Sequence, residues 1–165
     1  GGPRGCSRPR PALTADAASA YVHAAYFIEP IEGAGVWYTH SMEQGTIWHQ
    51  TIGVLYGDEP ATPSIASAGD NLRELHRTFG WDRDTVLVAY EHPGSGGTRL
   101  GVAISRQAGH TFAERLRVVR VSGTAREPRI ALRDGRVALA WLEQPRSTGG
   151  ATPDARARVQ VGALR

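Results

Sequence analysis

Apolar residues fall in short runs along this chain, and Gly, Pro, Asp and Ser separate them. Tyr21 to Tyr26, Val36 to Thr39, Val86 to Tyr90, Leu100 to Ile104 and Val137 to Trp141 are such runs. They are rich in Val, Ile, Ala and aromatics and lack a helical period. They predict strands with turn punctuation between them. Asp134-Gly135 joins two of these runs and predicts a type I′ hairpin, whose two central residues both need positive φ. One stretch departs from the pattern. Leu72, Leu75 and Phe79 are spaced i, i+3 and i+7, with Asn71 as an N-cap and Gly80 as a stop. A short helix or structured loop is expected over about 72–84, inserted in a hairpin.

The runs also repeat. Ser41-Met42-Glu43-Gln44-Gly45-Thr46-Ile47-Trp48 and Ser105-Arg106-Gln107-Ala108-Gly109-His110-Thr111-Phe112 lie 64 residues apart. Both have Ser, then Gly four later, then an aromatic seven later. Pro63-Ser64-Ile65-Ala66-Ser67 resembles Pro128-Arg129-Ile130-Ala131-Leu132, and more loosely Pro9-Arg10-Pro11-Ala12-Leu13. Ala25, Ala89 and Ala140 occupy one place in three successive units, separated by 64 and 51 residues. The insert accounts for the difference, so the basal unit is about fifty residues. Its second copy reads as four strands: Ser64 to Ser67, Val86 to Tyr90, Leu100 to Ile104 and Arg115 to Val121.

Four antiparallel strands repeated at that interval predict an all-β fold, a β-propeller of about three four-stranded blades. The blade segments are about 1–56, 57–122 and 123–165. Ile65, Ala66, Val88, Ile130, Ala131 and Leu139 are the expected core, and Trp48 and Phe112 are expected at equivalent places in successive blades. Closed propellers have roughly four to eight blades. The chain begins with Gly1 and stops at Arg165, where a third Ser-x-x-x-Gly turn is due. An incomplete propeller is therefore expected, partnered by remaining blades or by self-association through open sheet edges.

Composition narrows the classes. The chain has 165 residues, one domain's length, and a net charge of +3. All 19 basic residues are Arg, which suits carboxylate or phosphate recognition but is more simply the codon bias of a GC-rich genome. The arginines are scattered among acids, so no nucleic-acid partner is expected. No apolar run is long enough for a membrane span. The single Cys6 excludes an intramolecular disulfide, and the apolar stretch that precedes a lipoprotein cysteine is absent. His76, Asp82 and Asp84 are metal-ligating types in a solvated excursion, and no metal or other cofactor is expected.

The repeated octapeptides carry a family resemblance. Ser105, Gly109, Thr111 and Phe112 resemble the Asp box of sialidases, Ser-x-Asp-x-Gly-x-Thr-Trp, with Gln107 at the Asp position. Ser41, Gly45 and Trp48 match in the other copy, with Glu43 at that position. The resemblance implies a sialidase-type propeller. The box makes the turn between a blade's third and fourth strands, and its aromatic packs between sheets. It also implies that the boxes lie on the face away from the site.

The site is then expected in the loops entering first strands, Asp58 to Thr62 and Thr124 to Glu127. The loops leaving second strands, Glu29 to Gly35, Glu91 to Thr98 and Glu143 to Ala155, complete it. Arg126, Asp58, Glu59 and His92 are the candidate ligand-binding residues, and Arg126, Glu127, Glu91 and Tyr90 the candidate catalytic ones. A sialidase uses three arginines around a carboxylate, a Tyr activated by a Glu, and an Asp acid/base. Arg126 is the candidate carboxylate-binding arginine, or else the partner of Glu127. Tyr90 beside Glu91 is the candidate nucleophile pair, at a position that Trp141 and Glu143 fill in the third copy. The family's early Arg-Ile-Pro motif is absent, and Arg8-Pro9-Arg10-Pro11 is a poor stand-in. The resemblance implies part of a secreted or cell-envelope exo-glycosidase acting on glycoconjugates. The alternative is a non-catalytic propeller that binds carbohydrate or protein.

Overall fold

The computed structural model describes residues 8–16, 20–68, 84–94, 97–117, 121, 123–146 and 154–164. These residues form three antiparallel sheets in chain order, and no helix occurs among them. The first sheet contains β1 (Ala12–Ala15), β2 (Val22–Ile28), β3 (Gly35–Ser41) and β4 (Ile52–Tyr56). The second contains β5 (Pro63–Ala68), β6 (Thr85–His92), β7 (Arg99–Ser105) and β8 (Glu114–Arg117). The third contains β9 (Gly123–Arg133), β10 (Arg136–Pro145) and β11 (Arg156–Ala163).

Each sheet is a meander whose strand order follows the sequence. Short loops between short apolar runs dictate this, because antiparallel neighbours need only a tight turn. Asp134 (φ 49°) and Gly135 (φ 69°) both adopt positive φ in the β9–β10 hairpin. The expected insert at 72–84, with His76 and Asp82, lies outside the described residues apart from Asp84, and so does Cys6. No helix among the described residues is long and apolar enough to cross a membrane.

Side-chain alternation along the strands decides which sheet touches which. Ala25, Phe27, Val36 and Tyr38 of the first sheet meet Ile65, Val86, Val88 and Tyr90 of the second. On the other side of the second sheet, Ala66, Leu87, Ala89 and Val102 meet Ile130, Leu139 and Trp141 of the third. Odd and even positions of β6 thus serve different neighbours, as a period of two requires. The middle sheet is apolar on both faces because both are covered. Leu87 and Val88 are fully buried.

The unit's repeat is visible in this packing. Ala25 and Ala89 each face the following sheet, while Val88 and Leu139 each face the preceding one. The first strand of each sheet lies beside the first strand of the next, β1 against β5 and β5 against β9. Ser64 Oγ ties the latter pair, accepting from Ile130 N at 3.1 Å.

Five of the six expected core residues are buried: Ile65, Ala66, Val88, Ile130 and Leu139. Ala131 is exposed instead, because Ile130 takes the face toward the second sheet and its neighbour points away. Phe112 is buried and packs edge-on against Tyr38, with ring centroids 4.8 Å apart. Trp48 does not share that burial: it is 42% exposed. Phe112 points back onto the first sheet, whereas no sheet lies behind the first among the described residues.

Candidate functional site

The meander places the 57–62, 93–94, 97–98 and 123–127 segments at one end of the sheets. Glu91, at the end of β6, organises this end. Its Oε2 accepts from Thr62 N at 3.2 Å, and its own N–H donates to Thr62 O at 3.3 Å. Its Oε1 accepts from Glu127 N at 2.7 Å. One buried carboxylate therefore joins β5, β6 and β9. Glu127 sits at φ 52°, and the β9–β10 register shifts opposite it, between Ala140 and Leu142. A left-handed non-Gly residue costs about 1–2 kcal/mol, and the charge-assisted bond from Glu91 offsets it. Glu91→Ala is expected to lower stability by about 2 kcal/mol, since two backbone donors lose a charged acceptor. Denaturant unfolding measures this, and an unchanged midpoint contradicts the clamp.

Two adjoining clefts open at this end. The first has a volume of ≈ 370 Å³ and is lined by Arg126, Glu127, Glu59, Glu91, Thr62 and Thr98, among others. The second has a volume of ≈ 590 Å³ and runs along β1, β5 and the start of β9, lined by Arg8, Arg10, Arg129 and Glu127, among others. They share Thr62 and Glu127. Arg126 and Glu127 are exposed, as are Glu59 and Asp58. Arg8 is held at Glu29 by a 3.0 Å ion pair.

Of the sequence-derived candidates, Arg126, Glu127, Glu91 and Glu59 converge on the first cleft. Asp58 and His92 line neither. Tyr90 also lines neither: it is 4% exposed, packed in the core between the first and second sheets against the bare Cα of Gly101. A nucleophilic Tyr90 aligned by Glu91 is thus not what this geometry assembles. Sequence reasoning passed over Arg10 and Arg129 as ligand groups. No shared repeat position marks them: Arg129 lies inside β9 opposite Ala140, whereas Arg10 precedes β1, where Ala12 is the residue opposite Ala25.

The opposite end carries the Ser-x-x-x-Gly turns. Ser41 Oγ accepts from Glu43 N and Gly45 N at 3.3 and 3.0 Å. Ser105 Oγ accepts from Gln107 N and Gly109 N at 3.2 and 2.9 Å. Gln44 and Gly45 have φ of 54° and 89°, and Ala108 and Gly109 have 50° and 89°. Gln107 Oε1 accepts from Thr111 Oγ1 at 3.1 Å, which gives the residue at the Asp position a role inside the turn. Glu43 makes the corresponding contact through its backbone O, accepting from Thr46 Oγ1 at 2.6 Å.

Histidines gather beside these turns. His40 and His49 stack with ring centroids 4.5 Å apart and 8° between planes, and His110 meets His40 edge-on at 4.7 Å. His23 lies deeper, between Tyr21 and Tyr38. Burial lowers its pKa to about 4, against an opposing pull from Asp16. Among the described residues no group of three or more His, Cys, Asp or Glu is placed to hold a metal ion. Asp84 is buried, and its carbonyl accepts from Ala108 N at 2.8 Å.

No protein-family model and no curated protein matches this chain.

Proposed function

We propose that the three sheets are successive blades of a sialidase-type β-propeller, and that the arginine-lined end binds an acidic carbohydrate without cleaving it. The propeller reading is supported by the shared turn geometry, the repeat register and the side-by-side first strands. The observation that carries the binding reading is the pair of adjoining clefts with Arg8, Arg10, Arg126 and Arg129 in their walls. Guanidinium forks suit carboxylates, and the flanking Glu59 and Glu127 suit sugar hydroxyls. A binding role fits better than hydrolysis because Glu91 is occupied by backbone donors and Tyr90 is enclosed in the core.

Titration calorimetry with a sialylated oligosaccharide and its neutral counterpart tests this. Binding of the acidic sugar alone is expected. Arg126→Ala or Arg129→Ala should weaken it by roughly ten- to a hundredfold, the loss of one charge-assisted fork. Equal binding of both sugars, or affinity untouched by both substitutions, overturns the reading. Turnover of a fluorogenic sialoside that Arg126→Ala abolishes would instead establish the glycosidase.

A further inference from the structure

The two outer faces of the three-sheet stack are copies of faces that are buried inside it. Tyr38 pairs with Ala25 across β2–β3, Val102 pairs with Ala89 across β6–β7, and Val159 pairs with Ala140 across β10–β11. The three alanines hold one repeat position, so Tyr38, Val102 and Val159 do too. All project on the side toward a following sheet. Tyr38 is 0% exposed and Val102 7%, because a following sheet covers each. Val159 is 67% exposed.

The same holds at the other end of the stack. Phe112 reaches back from its turn onto Tyr38. Its counterpart Trp48 is 42% exposed, with its Nε1 donating to Gly45 O of its own turn at 3.0 Å. The contact that Phe112 makes with Tyr38 is therefore available a second time, its two halves displayed on opposite ends of one chain.

The Val159 half lies in an apolar surface, while on the first sheet apolar side chains are exposed singly at its two edges. Register places Ala138 beside Val161, Ala140 beside Val159 and Leu142 beside Ala157 on the outer face of the third sheet. Paired residues project to the same side, and Leu142 and Val161 are 40% and 68% exposed. On the first sheet, Leu13 and Tyr56 are 63% and 61% exposed. Exposed apolar faces of this kind mark association surfaces.

Charge selects the pairing. Residues 1–56 carry three arginines and four carboxylates, net −1. Residues 123–165 carry eight arginines and four carboxylates, net +4. Third sheet on third sheet sets like charge against like; third on first sets opposite charges together.

We propose that copies of this chain associate head to tail, the outer face of one third sheet seated on the outer face of another copy's first sheet, with Trp48 on Val159. Two copies bring six sheets together. Closure of that pair into a ring rests on the propeller reading; the docking itself does not.

Sedimentation equilibrium of the chain at micromolar concentration tests the proposal. A dimer is expected. Val159→Arg and Trp48→Arg should each weaken self-association at least tenfold. Both residues are exposed, so far-UV circular dichroism should stay unchanged. Mixing the two variants should restore a heterodimer, because one junction then keeps both native halves. A monomeric parent chain, a dimer indifferent to both substitutions, or a mixture that stays monomeric overturns the proposal. Oligomers that grow beyond two with concentration, and that both variants abolish, uphold the docking and overturn only the closed ring.

Discussion

Gly109→Ala lowers the stability of the chain by about 4 kcal/mol, while Gly45→Ala costs about 1–2 kcal/mol. The two glycines hold the same place in equivalent turns, and both have φ of 89°. An L-residue there is strained in either turn, and that shared strain sets the smaller figure. Surroundings separate them. A methyl group at Gly45 meets nothing within 4 Å. At Gly109 it runs into the Tyr38 hydroxyl and ring, which Phe112 and the Ala108 carbonyl hold in place. Forcing a methyl into a packed contact adds about 1–3 kcal/mol. Urea unfolding of both variants decides it: equal losses would mean that the second turn does not bear on Tyr38. Tyr38→Phe removes the nearest atom of the clash. In that background the Gly109→Ala loss should shrink by about 1 kcal/mol, a coupling typical of touching residues.

Acidification from pH 7 to pH 4 removes about 3 kcal/mol of stability through His23 alone. The folded imidazole has its pKa lowered from 6.5 to about 4, mainly by burial. The unfolded chain therefore takes up a proton below about pH 6.5, and the folded chain only near pH 4. The contribution is fully present above 6.5 and declines as pH falls toward 4. About 1.4 kcal/mol is gone at pH 5.5.

The geometry explains the reluctance to protonate. His23 Nδ1 lies 2.7 Å from Tyr38 Oη, which is also 3.3 Å from Ala108 O. Nε2 is buried and has no hydrogen-bond partner among the described residues. A proton there would be a buried charge surrounded by the rings of Tyr21, Tyr38 and His40, with Asp16 as the counter-charge. Urea midpoints across pH 4–7 measure the slope. His23→Phe should flatten it, and an unaltered slope in that variant would assign the acid lability elsewhere.

The strands β5, β6 and β7 were legible to within two residues at each end, because alternation and turn residues are local properties. The hairpin at Asp134-Gly135 was legible for the same reason. So was the equivalence of the two Ser-x-x-x-Gly turns, whose matching φ values follow from matching residue types. The candidate site was legible only in part. Glu59 stands before a first strand as read, whereas Arg126 and Glu127, read as an entry loop, lie inside β9. Glu91 was found too, but its bonds to Thr62 N and Glu127 N depend on three chain segments meeting, which no local pattern reports. Tyr90 looked poised beside it. Period-two alternation, however, sends neighbouring side chains to opposite faces, and only the position of the first sheet shows that the face of Tyr90 is enclosed.

The octapeptides divide in the same way. By itself the sequence determined an all-β chain and the left-handed glycine in each turn; the first copy's segment Pro9 to Leu13 was set two residues out of the register that the strands adopt. Backbone conformation and side-chain period are set over a few residues, so they can be read from a few residues. The tertiary structure alone decided that Phe112 is buried and Trp48 exposed, that Gly109 is crowded and Gly45 free, and that Arg8, Arg10 and Arg129 share a cleft. Those outcomes depend on which sheet lies behind which, and turns of the same backbone form have different fates when one has a neighbour and the other faces solvent.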